Sequence, residues 1–170
     1  MIDEDRVDID EEAPPIVEAM PLKPGDKAPA IALSDQSGDK VKLSDFKGRK
    51  VLVFFYPKAD TPGCTTQACG MRDILGDIGD TAVLGISPDK PAKQAKFDEK
   101  YGPGFPLLAD EDHAVAESYG AWGEKSMYGK KYMGIIRSAF LIDEDGTIAN
   151  AWYKVSPADT TTNLLEALAG

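Results

Sequence analysis

Two cysteines, Cys64 and Cys69, are the only thiols in the 170 residues, and they lie five positions apart in the stretch TPGCTTQAC. A thiolate is a nucleophile and a metal ligand, and two thiols can close a disulfide. The metal reading lacks ligands. Two cysteines and the single histidine, His113, do not complete a four-ligand Cys/His zinc site. His113 opens a polar segment and reads as a surface or capping residue rather than a base. The spacing is C-x-x-x-x-C, not the C-x-x-C of disulfide reductases.

The segment that carries the cysteines follows KVLVFFY (50–56), a continuous apolar run suited to a central strand covered on both faces. Pro57 stops that strand. A helix is expected from Pro62 to about Asp80, with Thr61 as N-cap and Pro62 in the first helical position. Cys64 then falls in the first turn, where unpaired N–H groups and the helix dipole favour a thiolate. If both cysteines belong to one regular helix, five residues turn the chain by about 500° and raise it by about 7.5 Å, so the Cα atoms stand roughly 8.6 Å apart. A disulfide needs about 4.4 to 6.8 Å. Such a pair never bonds, or bonds only when the helix opens. Gly63 and Gly70 lower the cost of opening, each by roughly 1 kcal/mol relative to alanine. On the residues alone, two inert buried thiols and a reacting pair both stay open.

The positioning elements follow in order. LKPGDKAPAIAL and DQSGDKVKLSDF read as loops with short strands, Ser44 capping a brief turn. TAVLGIS (81–87) is a second buried strand, 90–102 a polar helix ending at Gly102, PLLAD a short strand, and EDHAVAESYGAW a helix ending near Gly120. Residues 121–136 read as a loop. RSAFLID (137–143) and TIANAWYKV (147–155) form a hairpin across DEDG, and a helix from about Pro157 closes the chain. Asp143, Asp145 and Gly146 lack the other ligands of a calcium loop, so a hairpin turn is the better account. Strands alternating with helices and a late hairpin predict an α/β protein with a mixed central sheet flanked by helices, parallel first and antiparallel late. The thioredoxin-like architecture belongs to that class, and sites in such sheets gather at the carboxyl ends of the parallel strands.

Composition narrows the function. A chain 42% hydrophobic and of this length suits one core that needs no cross-links. Residues 1–22 carry eight acidic side chains against Arg6 alone, a charge of −7 within a net −10. Residues 1–21 are therefore expected to be an acidic, disordered extension, and 22–170 the folded domain. An acidic tail without a basic patch argues against nucleic acid. No apolar run is long enough to span a bilayer, and no signal peptide is visible, which points to the cytoplasm. There thiols stay reduced, so a cycling pair fits better than a permanent bridge.

FFYPKADTPGCTTQACGMRD resembles the active-site stretch of the peroxiredoxins, in particular the bacterioferritin comigratory protein, or peroxiredoxin Q, subfamily. The P-x-x-x-T-x-x-C signature is present as Pro57, Thr61 and Cys64, and RSAFLID matches the strand that carries the family's active-site arginine, here Arg137. The similarity runs from about Leu22 to Leu168. It implies a thioredoxin-like fold and a thiol peroxidase in which Cys64 attacks the peroxide and becomes a sulfenic acid. Cys69 matches the resolving cysteine, which would condense with it to an intrachain disulfide. Thioredoxin or a similar dithiol would restore both thiols in a protein that is often monomeric, with no metal, haem or flavin. Arg137 would donate to the departing oxygen, Thr61 would orient the peroxide, and Pro57 would shield the pocket. Without the resemblance, Thr61 is a plain cap and Arg137 an ion pair with Asp143 or Glu144. A redox-responsive binding protein that uses the pair as a switch is the alternative.

Overall fold

The computed structural model describes residues 22–59, 61–127 and 129–169. The acidic extension expected over residues 1–21 lies outside them. Strand β1 (Ala32–Ser34) and β2 (Lys40–Lys42) form an opening hairpin. They are followed by β3 (Val51–Phe55), α1 (Pro62–Asp73), β4 (Ala82–Ser87), α2 (Pro91–Tyr101), β5 (Leu107–Ala109) and α3 (Ala114–Ser118). Strands β6 (Trp122–Met127), β7 (Lys130–Ile135), β8 (Ser138–Ile142) and β9 (Ile148–Trp152) come next, and α4 (Asp159–Ala169) closes the chain.

Seven strands make one mixed sheet in the order β9-β8-β3-β4-β5-β1-β2. Strand β3 lies in its interior, parallel to β4 and antiparallel to β8. Every residue of β3 is buried, as a strand covered on both faces requires. Alternation then divides the core. Val51, Val53 and Phe55 face Leu84, Ile86, Tyr119 and Phe140. Leu52, Phe54 and Tyr56 face Met71, Phe97 and Leu164, so α1, α2 and α4 all cover this second face. Each fully buried Phe or Leu contributes about 1.5–3 kcal/mol, which pins the register of β3. The α/β class, the mixed sheet and the flanking helices are those expected from the strand–helix alternation.

Four local expectations needed correction. Helix α1 ends at Asp73, and a short 3-10 turn (Leu75–Asp77) replaces its expected last turn, since Gly76 and Gly79 weaken helix there. Helix α3 starts only at Ala114 because His113 takes a left-handed backbone (φ 51). Ser44 lies inside its 3-10 turn rather than capping it, and the Asp45 carboxylate takes the Lys42 N–H at 3.1 Å. Residues 121–136 are not a loop. They hold the antiparallel pair β6–β7, with Gly123 opposite Gly134. These glycines allow close approach: a Cβ at Gly123 would meet Ile136 Cδ1 at 2.9 Å, and one at Gly134 would meet Lys125 Cδ at 3.2 Å. Read from sequence they look like breakers.

Candidate active site

The site forms where β3 ends. Phe55 is paired with Ser138, so the residue before β8, Arg137, stands beside the carboxyl end of the central strand. Helix α1 begins there too. Thr61 is its N-cap in extended backbone (φ −102, ψ 156), Pro62 is in the first turn, and Cys64 follows, 1% exposed among Tyr56, Ala59 and Ala68. Arg137 Nη2 donates to Cys64 Sγ at 3.3 Å. Its Nη1 donates to Gln67 Oε1 at 2.6 Å. The surface ion pair with Asp143 or Glu144 is thus replaced by contacts inside the site. The planar fork of arginine makes both contacts at once, which a lysine cannot copy.

Gln67 was not singled out in the sequence. It is fully buried, and its Nε2 donates to Thr160 Oγ1 of α4 at 2.8 Å. Thr160 in turn donates to Ser156 O at 3.4 Å. The one available signal was spacing: Gln67 is three residues beyond Cys64, hence on the same face of the helix. Gly63 has a matching purpose. A Cβ there would stand 3.2 Å from Arg137 Nη2 and 3.3 Å from Pro157 Cγ. Gly63 and Gly70 therefore make room as well as weaken the helix, since a Cβ at Gly70 would approach Thr161 Oγ1 to 2.9 Å.

The other expected residues are placed as follows. Thr61 does not cap the helix with its side chain. Its hydroxyl donates to Lys58 O at 2.8 Å, which leaves the oxygen as an acceptor. Pro57, half-buried, follows Tyr56 directly at the end of β3. Cys69 is half-buried in the same unbroken helix, and both thiols are unbonded. The two cysteines are not brought together. His113 stays out of the site, bonded to Glu117 at 2.6 Å and stacked on Trp122 at 3.7 Å.

Lys125 of β6, half-buried, is a second cation that feels the charges of this corner. Burial and the Arg137 guanidinium hold the Lys125 ammonium below its ordinary range, while negative charge on the Cys64 sulfur pulls the other way. Tyr56, at the end of β3, has its phenol pushed far up, mainly by burial, and donates to Gln94 Oε1 at 2.6 Å. A buried sulfur with a guanidinium donor on it is suited to attack an electrophile and to receive the displaced charge on preorganised donors.

A mixed thioredoxin-like sheet whose central strand leads into a helix-start cysteine, faced by an arginine, defines a thiol-dependent peroxidase of the peroxiredoxin class. Comparison with known proteins agrees. The chain belongs to the AhpC/TSA family, matched over residues 24–151, and within it to the bacterioferritin comigratory protein and peroxiredoxin Q group. It is 56% identical to peroxiredoxin Bcp of Escherichia coli over 134 residues, 78% of this chain and 86% of that one. It is 44% identical to peroxiredoxin Bcp of Bacillus subtilis over 151 residues, 88% and 96% of the two chains. A Xanthomonas campestris peroxiredoxin Q mutant superposes with a TM-score of 0.77 at 36% identity, over 82% of this chain and 90% of that one. No helix among the described residues is long and apolar enough to cross a membrane.

Proposed function

We propose that Cys64 is the peroxidatic cysteine of a two-cysteine cycle. The Cys64 thiolate attacks one oxygen of a peroxide, the O–O bond breaks, and the other oxygen leaves with a proton as water or alcohol. Sulfur keeps the first oxygen as a sulfenic acid. The observation that carries this reading is the Arg137 donor on the Cys64 sulfur at 3.3 Å. It stabilises negative charge on sulfur before attack and is placed beside the oxygen that gains charge during it. Thr61, whose proton is committed to Lys58 O, accepts the peroxide hydroxyl and so orients the O–O bond. Pro57 has no N–H and shields the pocket without adding a competing donor.

The Cys69 thiol then attacks the Cys64 sulfenic acid, water leaves, and a disulfide closes within one chain. In the intact α1 the Cα atoms stand about 8.6 Å apart, so this step needs the helix to open. Both cysteines sit on one helix, so no second subunit is required and a monomer suffices. Thioredoxin or a similar dithiol returns two electrons and restores both thiols in the cytoplasm. The solved Xanthomonas campestris bacterioferritin comigratory protein is described for alkyl peroxide reduction. That supports organic hydroperoxides as substrates here, and hydrogen peroxide offers the same O–O bond to the Cys64 sulfur.

The deciding experiment is a peroxidase assay with a thioredoxin system on the protein, Cys64→Ser and Cys69→Ser. Turnover disappears in Cys64→Ser, and the oxidised protein carries a 64–69 bond by mass spectrometry. Full turnover in Cys64→Ser would refute the assignment. Undiminished thioredoxin-linked turnover in Cys69→Ser would move resolution to an external thiol.

A further inference from the structure

A buried polar network lies beside the site and makes no use of the sulfur. One oxygen of Asp89 accepts the backbone N–H of Ala59 at 2.6 Å and the Ser87 hydroxyl at 2.8 Å. Ser87 Oγ accepts Gln94 Nε2 at 2.9 Å, and Gln94 Oε1 accepts the Tyr56 hydroxyl at 2.6 Å. Gln94 Nε2 also reaches Leu108 O at 2.9 Å, which ties the network to β5. Tyr56, Ser87 and Gln94 are at most 1% exposed. The bend at Pro57 and Lys58 is therefore gripped at both ends, at Tyr56 by Gln94 of α2 and at Ala59 by Asp89 just after β4.

The grip on Ala59 has a specific consequence. Its N–H and the Lys58 carbonyl belong to one peptide unit, which is planar and stiff. Asp89 holds the N–H edge of that plate, and the Thr61 hydroxyl donates to the carbonyl edge at 2.8 Å. Turning the plate moves both edges together. With Asp89 in place the carbonyl is aimed at Thr61, and the threonine proton is spent on it. Were the plate loose, the hydroxyl could rotate and lose its acceptor orientation.

We infer that Asp89 is a positioning residue for peroxide binding: through the 58–59 peptide it sets the direction of the Thr61 hydroxyl. The inference rests on the roles proposed above for Cys64 and Thr61. It assigns Asp89 no contact with peroxide or sulfur.

The test is stopped-flow oxidation of the reduced full chain by hydrogen peroxide, with alkylation by iodoacetamide as a control that does not need Thr61. Asp89→Ala slows the peroxide reaction about tenfold or more, and changes alkylation by less than about twofold. Asp89→Asn keeps an oxygen acceptor for both donors and stays within about twofold of the wild type. Thr61→Val is slow by itself, and Asp89→Ala adds less than about twofold in that background, because coupled residues are non-additive. Should Asp89→Ala not fold, Ser87→Ala replaces it. It steadies the carboxylate less well and slows the reaction about threefold, again only when Thr61 is present. Additive losses with Thr61→Val, an equal loss in alkylation, or an Asp89→Asn as slow as Asp89→Ala would each overturn the inference. A wild-type rate in Asp89→Ala, with Cys64→Ser inactive and Thr61→Val slow, removes the Asp89 role alone. Peroxide consumption by Cys64→Ser removes the underlying reading instead.

Discussion

Arg137 Nη2 donates to Cys64 Sγ at 3.3 Å across 73 residues of sequence. The pairing of Phe55 with Ser138 places this arginine beside the end of the central strand. The same side chain is held by Gln67 at 2.6 Å, so its position is doubly determined.

Arg137→Lys therefore keeps the charge and loses the fork. Peroxide oxidation of Cys64 is expected to slow by about a hundredfold, the range seen when one preorganised donor to a developing oxyanion is removed. Stopped-flow rates on the reduced protein decide it. A rate within twofold of the wild type would mean that charge alone suffices.

Gln67→Met fills the same space without the amide. It releases one arm of Arg137 and leaves the buried Thr160 hydroxyl without its donor. The expected cost is about 1–3 kcal/mol of stability, together with a slower peroxide reaction. Denaturant unfolding and the peroxide rate, measured on one preparation, check both halves. Unchanged stability would show that Thr160 finds another partner.

Gly70→Ala brings two opposed effects. The new Cβ would stand 2.9 Å from Thr161 Oγ1, so the threonine must turn away or α4 must shift, and the melting temperature falls. Adding Thr161→Ala removes that atom and leaves the gain in helix propensity. The double variant is then expected to form the 64–69 disulfide about fivefold more slowly than the wild type, since a helix steadier by about 1 kcal/mol opens less often. Disulfide formation as fast as in the wild type would argue that helix opening does not limit resolution.

Asp110 supplies a pH dependence. It is 1% exposed and accepts the N–H groups of Val115 and Ala116 at 3.2 and 2.8 Å. Burial pushes its carboxyl above the ordinary 3.8, outweighing those two bonds. A raised acid is protonated more readily when folded than when unfolded. Its contribution is thus most favourable below 3.8 and declines as pH rises through the raised folded value. Asp110→Asn keeps an acceptor and removes the titration. Measured from acid to neutral pH, the variant should gain stability relative to the wild type. A gap that moves the other way would refute the sign.

Much of this was legible from local patterns. The apolar run 51–55 and the Thr61–Pro62 start placed Cys64 at the carboxyl end of a central strand, because burial on two faces and helix capping leave marks in contiguous residues. The β6–β7 pair that carries Lys125 was missed because each strand holds a glycine, Gly123 and Gly134, which serve close packing there rather than a turn. Gln67 was missed because an amide on a helix shows no partner until a distant arginine is folded against it.

By itself the sequence determined the α/β class, the cysteine spacing that forbids a bond within an intact helix, and the residues that mark the family. Only the tertiary structure decided what each side chain faces. Arg137 met sulfur instead of a surface carboxylate, the Thr61 proton went to Lys58, and Asp89 closed on Ala59. Periodicity and capping are local and can be read along the chain. Hydrogen-bond partners 30 to 73 residues apart are selected by strand register and helix packing, which no contiguous stretch encodes.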